Sequence, residues 1–316
     1  MQYRTLGRTG LRVSDVGFGA MTIGGEIFGA TDDQESLRAL HRALDLGMNF
    51  IDTADAYGRG HSEELIAQVL KTRRKEVILA TKGGNQFTVR QGLRNFDPDY
   101  ITSALEASLK RLQIDTIDLY QLHNPSPEVM RRGEIFDRLE RFKREGKIRF
   151  YGVSLEKTED GVVAIETGKP DTLQVVYNIL HQDPEERLFP LAQKENIGII
   201  ARVPLERGVL SGRFRSTAEF AQKDWRKGVF SEEGLAQTQA AVAKLHFLVK
   251  GEVANLAQAA LRFILSNPTV STVIPGTRTV KQVEDNLLVS GKTLPPDDLA
   301  KLRALYRSDF CHLPFH

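Results

Sequence analysis

The chain has very little cysteine and almost no net charge. Its 316 residues include one cysteine, Cys311, so neither an internal disulfide nor a cysteine zinc cluster can form, which is typical of a reducing compartment. The 43 basic and 41 acidic residues leave a formal charge of +2. Such a balance gives no strong field for nucleic acid or an anionic membrane, so both partners are disfavoured.

Long hydrophobic runs are also lacking. The sequence contains no run of about 18 apolar residues, so we expect no membrane span. Its first residues, MQYRTLGRTG, lack the apolar core of a signal peptide, and we therefore expect a cytoplasmic protein. Hydrophobic residues make up 41% and charged residues 27% of the chain, which indicates a folded globular protein.

Strand-like and helix-like patterns alternate along the chain. Apolar runs such as EVILATK and TIDLYQLH are followed by stretches with apolar residues at helical spacing, such as DYITSALEASLKRL. About eight such units in series predict parallel strands joined by helical crossovers. We predict a closed (β/α)8 TIM barrel, an α/β fold, as one domain over residues 1–316. The alternative is an open doubly wound sheet, but GFGAMTIGG is not its G-x-G-x-x-G phosphate motif.

Three additions to the eight units are predicted. YRTLGRTGLRVS indicates an N-terminal β-hairpin, and LPPDDLAKLRALY indicates an extra C-terminal helix. The segment from Glu206 to Glu252 exceeds one helix and predicts a long loop after the seventh barrel strand. Within the repeat itself, Ser62 is expected to be the N-cap of the helix SEELIAQVLK.

Polar residues stand at the ends of three successive predicted strands. The second barrel strand ends at Asp52, the third at Lys82 and the fourth at His123, and Tyr57 follows Asp52 in the next loop. In such barrels the active site lies at the carboxyl ends of the strands. A free phenol has a pKa of about 10 and is a poor proton donor at neutral pH, but a nearby ammonium favours the phenolate. The set therefore suits protonation of an oxygen that gains negative charge, as when hydride adds to a carbonyl.

Each of these four residues taken alone has an ordinary structural explanation, such as a strand-end cap, an ion pair or a packing role. Their coincidence on neighbouring strand ends favours catalysis. Two other functions remain open, a redox-sensing or regulatory subunit that binds a nicotinamide cofactor with little turnover and a metal-dependent lyase or isomerase. The metal enzyme is disfavoured because it needs several carboxylates at strand ends, where only Asp52 is acidic, and we predict no metal site.

A second polar set follows the eighth strand, in IPGTRTVKQVEDN. Thr277, Thr279 and the free N–H groups of the following helix start can bind a phosphate, and the Arg278 guanidinium matches its geometry. Ser154 and Gln174, near the ends of the fifth and sixth strands, can hydrogen-bond a carboxamide. The alternative for Arg278 is a solvated turn, and the alternative for Ser154 and Gln174 is packing inside the barrel.

FIDTADAYG, ILATK, DLYQLH, YGVS and VIPGTR occur in this order and resemble the motifs of the aldo-keto reductase superfamily over essentially the whole chain. The resemblance implies NADPH bound extended across the C-terminal face of the barrel. It implies a catalytic tetrad of Asp52, Tyr57, Lys82 and His123, with Tyr57 the general acid in reduction and the base in oxidation. The implied reaction is the reversible reduction of an aldehyde or ketone to an alcohol. The implied partner is a small molecule, and the oligomeric state stays open.

The resemblance also assigns residues to the cofactor. They are Gly19, Met21, Thr22, Asp52, Ser154, Gln174, Arg202, Pro204, Leu205, Gly208, Leu210, Gly276, Thr277, Arg278, Gln282, Asp285 and Asn286. Two positions depart from the family pattern. Arg202 stands where many members have an aromatic residue that stacks on the nicotinamide, and it can stack or reach a phosphate. Leu155 follows Ser154 where many members have an amide.

Substrate is expected to contact the loops Met21 to Phe28, Gln86 to Gln91 and Asn124 to Val129, and the region near Trp225 and Phe230. These loops mix apolar and polar residues. Sugars, small aldehydes, ketosteroids and pyridoxal-like compounds all remain open.

Overall fold

Two antiparallel strands, Tyr3–Thr5 (β1) and Arg12–Ser14 (β2), form the predicted N-terminal hairpin. In the computed structural model, which describes residues 1–25, 31–86, 93–212, 224–228 and 230–313, this hairpin lies across the amino ends of the barrel strands. Parts of three predicted substrate loops, residues 26–28, 87–91 and 229, lie outside the described residues.

Eight parallel strands follow the hairpin. They are Phe18–Gly19 (β3), Phe50–Asp52 (β4), Ile78–Gly83 (β5), Ile117–His123 (β6), Ile148–Ser154 (β7), Thr172–Val176 (β8), Gly198–Arg202 (β9) and Val270–Val273 (β10). They pair in sequence order from β3 to β10. Parallel bridges from Val16 to Val273 and from Gly19 to Gly276 join the first strand to the last. The (β/α)8 barrel is thus confirmed, and the open sheet is wrong.

Helices cover the outside of the barrel. They are Asp33–Asp45 (α1), His61–Arg73 (α2), Pro98–Leu112 (α3), Pro127–Arg132 (α4), Glu134–Arg144 (α5), Thr158–Glu166 (α6), Leu188–Lys194 (α7), Glu232–Ala243 (α8), Leu256–Leu265 (α9), Val280–Leu287 (α10) and Pro296–Ser308 (α11). Helix α11 is the predicted C-terminal addition. The segment after β9 contains α8 as well as loop. In the described ranges, no helix is long and apolar enough to cross a membrane.

Ser62 does not cap α2. The N-cap is Gly60, which makes no side-chain capping bond. The Ser62 hydroxyl instead donates to the carbonyl of Ala20 at 3.1 Å and lies 2.8 Å from the Thr53 hydroxyl. A buried tertiary hydrogen bond has therefore replaced the local capping bond that the sequence predicts.

Side-chain alternation along the strands divides the barrel interior into two levels. Phe50, Ala80, Leu119 and Ile200 pack together near the hairpin in a fully buried apolar cluster. Residues two positions further along a strand project on the same side of the sheet. Each of the four strands therefore delivers a second side chain toward the carboxyl end of the barrel, where the active site of such barrels lies.

Candidate active site

Lys82, on β5, lies at the centre of the site and is completely buried. Its Nζ donates to Asp52 Oδ1 at 2.5 Å, to the Thr53 carbonyl at 2.8 Å and to the Tyr57 hydroxyl at 3.2 Å. Burial opposes the charge on this amine, but Asp52 and Tyr57 outweigh burial, so the pKa of Lys82 lies above its ordinary value. Lys82 is thus a charged ammonium in contact with the phenol.

Asp52 is held by both of its oxygens and is 2% exposed. While Oδ1 accepts from Lys82, Oδ2 accepts from the Gln174 amide at 2.7 Å and from the Gln121 amide at 3.1 Å. These donors satisfy both oxygens of the buried carboxylate and fix its orientation. The sequence analysis missed Gln121. The available signal was an amide two residues before His123, at an inward-facing position of a buried strand.

A tight turn returns Tyr57 to the end of β4. The turn spans Tyr57–Gly60, and Gly58 has a φ of 59°. A Cβ at Gly58 would lie 1.9 Å from the carbonyl oxygen of Gly24, so both the backbone conformation and the close contact require glycine there. The Tyr57 ring meets the His123 ring edge-on, with centroids 6.1 Å apart. The phenol and the imidazole therefore border the same space.

His123, the last residue of β6, is neutral and has a defined tautomer. Its Nδ1 lies 2.8 Å from the side-chain nitrogen of Asn85, which can only donate, so the ring proton is on Nε2. Burial, followed by the charges of Lys82, Arg202 and Arg94, places the pKa of His123 well below its ordinary value. Nε2–H is therefore a neutral hydrogen-bond donor. Asn85, two residues beyond the end of β5, was also missed by the sequence analysis.

Ser154 and Gln174 lie beside this set, as predicted from their strand positions. The Ser154 hydroxyl donates to the Gln174 side-chain oxygen at 3.4 Å, and the Gln174 nitrogen donates to Asp52. Both residues are buried, and their polar groups bond to each other and to the tetrad. Leu155, the departure from the family pattern, is buried in the main apolar core.

The loop from β10 to α10 gathers several predicted cofactor residues. Thr22 donates to the Thr277 carbonyl at 2.9 Å, and the Thr277 hydroxyl accepts from the Asn286 amide at 3.1 Å. The Arg278 N–H donates to the Gln282 side chain at 2.9 Å. Thr279 caps α10 through the N–H of Gln282, and Val280 N–H bonds to Glu35, so the helix start has few N–H groups left for a phosphate.

The Arg278 guanidinium is different from these engaged groups. Within the described ranges it forms neither an ion pair nor a hydrogen bond. It stands half-buried between exposed Gly276 and α10, while Asp285 on the same helix pairs with Lys281 at the surface. A free guanidinium at this position can bind a phosphate by two hydrogen bonds.

The loop after β9 is anchored by Glu206, whose side chain is fully buried. Its carboxylate accepts from the Asn178 amide at 3.0 Å, lies 3.0 Å from His181 Nε2 and pairs with Arg207. Val203, Glu206 and Arg207 all have positive φ, at 55°, 42° and 52°. These bonds stabilise a left-handed backbone conformation, which residues other than glycine rarely adopt.

That backbone conformation positions four of the predicted cofactor residues, because they lie on the same loop. They are Pro204, Leu205, Gly208 and Leu210. Leu210 is fully buried, whereas Leu205 and Gly208 are partly exposed.

Together the central residues form an acid–base centre. The Tyr57 hydroxyl can give a proton to an oxygen in the space that it shares with His123, and the Lys82 ammonium stabilises the resulting phenolate. Within the described ranges, no group of three histidine, cysteine, aspartate or glutamate side chains is arranged to hold a metal ion.

Comparison with known proteins agrees with this fold. The family model described as the aldo/keto reductase family matches residues 15–307. The aldo-keto reductase YhdN of Bacillus subtilis is 34% identical over 311 residues, covering 94% of this chain and 91% of that protein. The aldo-keto reductase yakc of Schizosaccharomyces pombe, whose name includes NADP(+), is 34% identical over 284 residues, covering 87% of this chain and 83% of that protein.

A solved structure is similar over almost its entire length. The aldo-keto reductase AKR11C1 from Bacillus halodurans, in its holo form, superposes with a TM-score of 0.79 at 31% identity, covering 96% of each chain. Since the family match, the sequence relatives and the barrel all agree, the chain belongs to the aldo/keto reductase family and is an oxidoreductase.

Proposed function

We propose that this protein reversibly reduces aldehydes or ketones to alcohols with NADPH. The observation that carries the proposal is the position of Lys82 Nζ, 2.5 Å from Asp52 Oδ1 and 3.2 Å from the Tyr57 hydroxyl. A buried ammonium in contact with a phenol makes the phenol a proton donor, because it stabilises the anion left behind. No second function has an observation of this kind in its favour.

Each member of the tetrad has a separate role in this proposal. Tyr57 donates its proton to the carbonyl oxygen in reduction, and the phenolate takes a proton from the alcohol in oxidation. Lys82 stabilises that phenolate, and Asp52 holds Lys82 charged and in place. His123 orients the carbonyl through Nε2–H, which the Asn85 contact leaves protonated.

The residues present fit a nicotinamide dinucleotide phosphate. When bound, the nicotinamide supplies the hydride. Ser154 and Gln174 offer a hydroxyl and an amide beside the tetrad, and the unpaired guanidinium of Arg278 stands in the loop between β10 and α10. The name of one relative, yakc, includes NADP(+), which supports the same cofactor.

The proposed partner is a small carbonyl compound or alcohol. We place the reaction in the cytoplasm, because the chain has a single cysteine and no means of forming an internal disulfide.

The test is nicotinamide absorbance during turnover on a panel of reactive aldehydes. We expect the wild type to oxidise NADPH, and Tyr57→Phe to lose activity by roughly a thousandfold because general acid catalysis contributes about 10²–10⁴. Tyr57→Phe should still bind NADPH, since only one oxygen is removed. The matched control is Tyr3→Phe, which loses a 2.7 Å hydrogen bond to Gly47 at the hairpin end and should keep full activity. Wild-type protein that binds NADPH but consumes none with any aldehyde would contradict the proposal.

A further inference from the structure

Arg202 reaches the candidate active site by the same alternation of side chains along a strand that places Asp52 and Lys82 there. It ends β9, two residues beyond Ile200, which packs inside the barrel with Phe50 and Ala80. Asp52 and Lys82 follow those two residues by the same step of two. The Arg202 side chain therefore points into the carboxyl-end mouth of the barrel rather than toward the outer helices.

Within the described ranges the Arg202 guanidinium has no carboxylate partner of its own. Its Nε is buried with no hydrogen-bond partner, and within the described ranges the side chain forms no ion pair. Burial lowers the pKa of Arg202, but a guanidinium remains protonated at any physiological pH.

The other charges around the mouth are paired. Lys82 is paired with Asp52, and His123 is neutral. Arg94 is paired with Glu156 at 2.9 Å, and Arg207 is paired with Glu206. Within the described ranges, Arg202 therefore gives the centre of the site a net positive charge.

Arg202 also lies close enough to act on the reacting groups. Its charge is among those that lower the pKa of His123, and Tyr57, Glu156 and Asp52 in turn oppose the lowering of the Arg202 pKa by burial. Of these, Glu156 is already paired with Arg94, and Asp52 with Lys82. Any ring that exchanges a hydride with a carbonyl held between Tyr57 and His123 must lie within a few ångströms of that carbonyl. It therefore lies within the field of this guanidinium.

We propose that Arg202 makes the site bind NADPH in preference to NADP+. The inference rests on the proposed use of NADP(H). The two forms carry the same phosphates and differ in the nicotinamide, which is neutral in NADPH and cationic in NADP+. A guanidinium with no carboxylate partner of its own repels only the cationic ring, and at short range in a protein a unit charge changes the ratio of the two dissociation constants by on the order of tenfold.

The preference has a consequence for the reaction on the enzyme. In alcohol oxidation a bound NADP+ would take up the carbinol hydride and its ring would become neutral, while the hydroxyl proton would pass to the Tyr57 phenolate. Arg202 favours this direction for bound reactants, because the product ring is neutral. By linkage, a tenfold preference for NADPH makes the potential of the bound two-electron couple about 30 mV more positive. The equilibrium in free solution is unchanged.

The experiment is calorimetric titration of the full chain with NADPH and, separately, with NADP+. We expect the ratio Kd(NADP+)/Kd(NADPH) to fall about tenfold in Arg202→Gln, mainly because NADP+ binds more tightly. Arg202→Lys keeps the charge and should keep most of the ratio. Arg144→Gln makes the same charge change on exposed surface at the end of α5, before β7 begins, and should leave the ratio at the wild-type value.

Three results would overturn the inference. A ratio unchanged within about twofold in Arg202→Gln shows that the charge does not distinguish the two rings. An equal loss of both affinities shows that Arg202 binds a phosphate common to both forms. Failure of the wild type to bind either form overturns the cofactor assignment as well, so the two proposals fail in distinguishable ways.

Discussion

The lower and upper halves of the barrel interior are equally buried but built from opposite chemistry. Below, Phe50, Leu119 and Ile200 pack against the hairpin as an apolar cluster. Above, Asp52 and Lys82 are 2% and 0% exposed, as inaccessible as the apolar residues beneath them. Exposure therefore does not distinguish the active site from the core. The difference is that the upper side chains need hydrogen-bond partners at fixed positions, whereas the lower ones need only volume.

Removing the central ion pair of the upper half should have the largest effect on activity and stability. In Lys82→Met we expect activity to fall by roughly a thousandfold, because Tyr57 loses its adjacent ammonium. Stability should also fall by about 3–5 kcal/mol, because Asp52 is left as a buried, unpaired charge. The measurements are kcat and urea unfolding. The double variant Asp52→Asn with Lys82→Met should recover most of the stability and none of the activity. A single variant as stable as the wild type would contradict this account of the pair.

A substitution in the lower half should have the opposite result, a loss of stability with little loss of activity. Leu119→Ala, on the same strand as Gln121, should reduce the free energy of unfolding by about 2–5 kcal/mol, because it leaves a cavity under the site. Folded protein should keep kcat within a few-fold of the wild type. The control is Leu288→Ala, where the side chain is 56% exposed and the change should stay within about 0.5 kcal/mol. A large loss of kcat in folded Leu119→Ala would show that the two halves are not separable.

The sequence was sufficient to predict the barrel and the clustering of Asp52, Tyr57, Lys82 and His123 at one end of it, because both depend on local patterns. Apolar runs mark the strands, and Asp52, Lys82 and His123 each stand where such a run ends. Parallel strands in a closed barrel bring those ends to one side, so three separate local signals give one site. That reasoning needs no knowledge of which side chains touch.

The features that the sequence did not predict depend on contacts between strands that are far apart in the chain. Gln121 and Gln174 both reach Asp52 Oδ2, but only the strand register and barrel closure show that three strands meet there. Glu206 is fully buried in a loop whose positive φ values no composition indicates. For Ser62 the local rule gave the wrong result, because a tertiary hydrogen bond replaced the cap.

The smallest predicted effect concerns His123, a polar residue of the upper half that burial keeps uncharged. Its pKa in the folded protein lies well below the ordinary value of about 6.5. Between these two values the unfolded chain takes up a proton that the folded protein does not. Stability therefore rises with pH in this window, and it falls as the pH drops below about 6.5, by at most about 1.4 kcal/mol per pH unit.

His123→Gln isolates this contribution, because the six other histidines of the chain titrate in both proteins. We expect urea unfolding from about pH 8 to pH 5 to show the wild type losing stability more steeply than the variant below about pH 6.5. Above that pH the difference between the two should be constant, since the imidazole is neutral in both the folded and unfolded chains. Parallel stability curves throughout would mean that His123 takes up its proton as readily folded as unfolded. The imidazole would then become a charged donor in the site as the pH falls below about 6.5, instead of staying neutral.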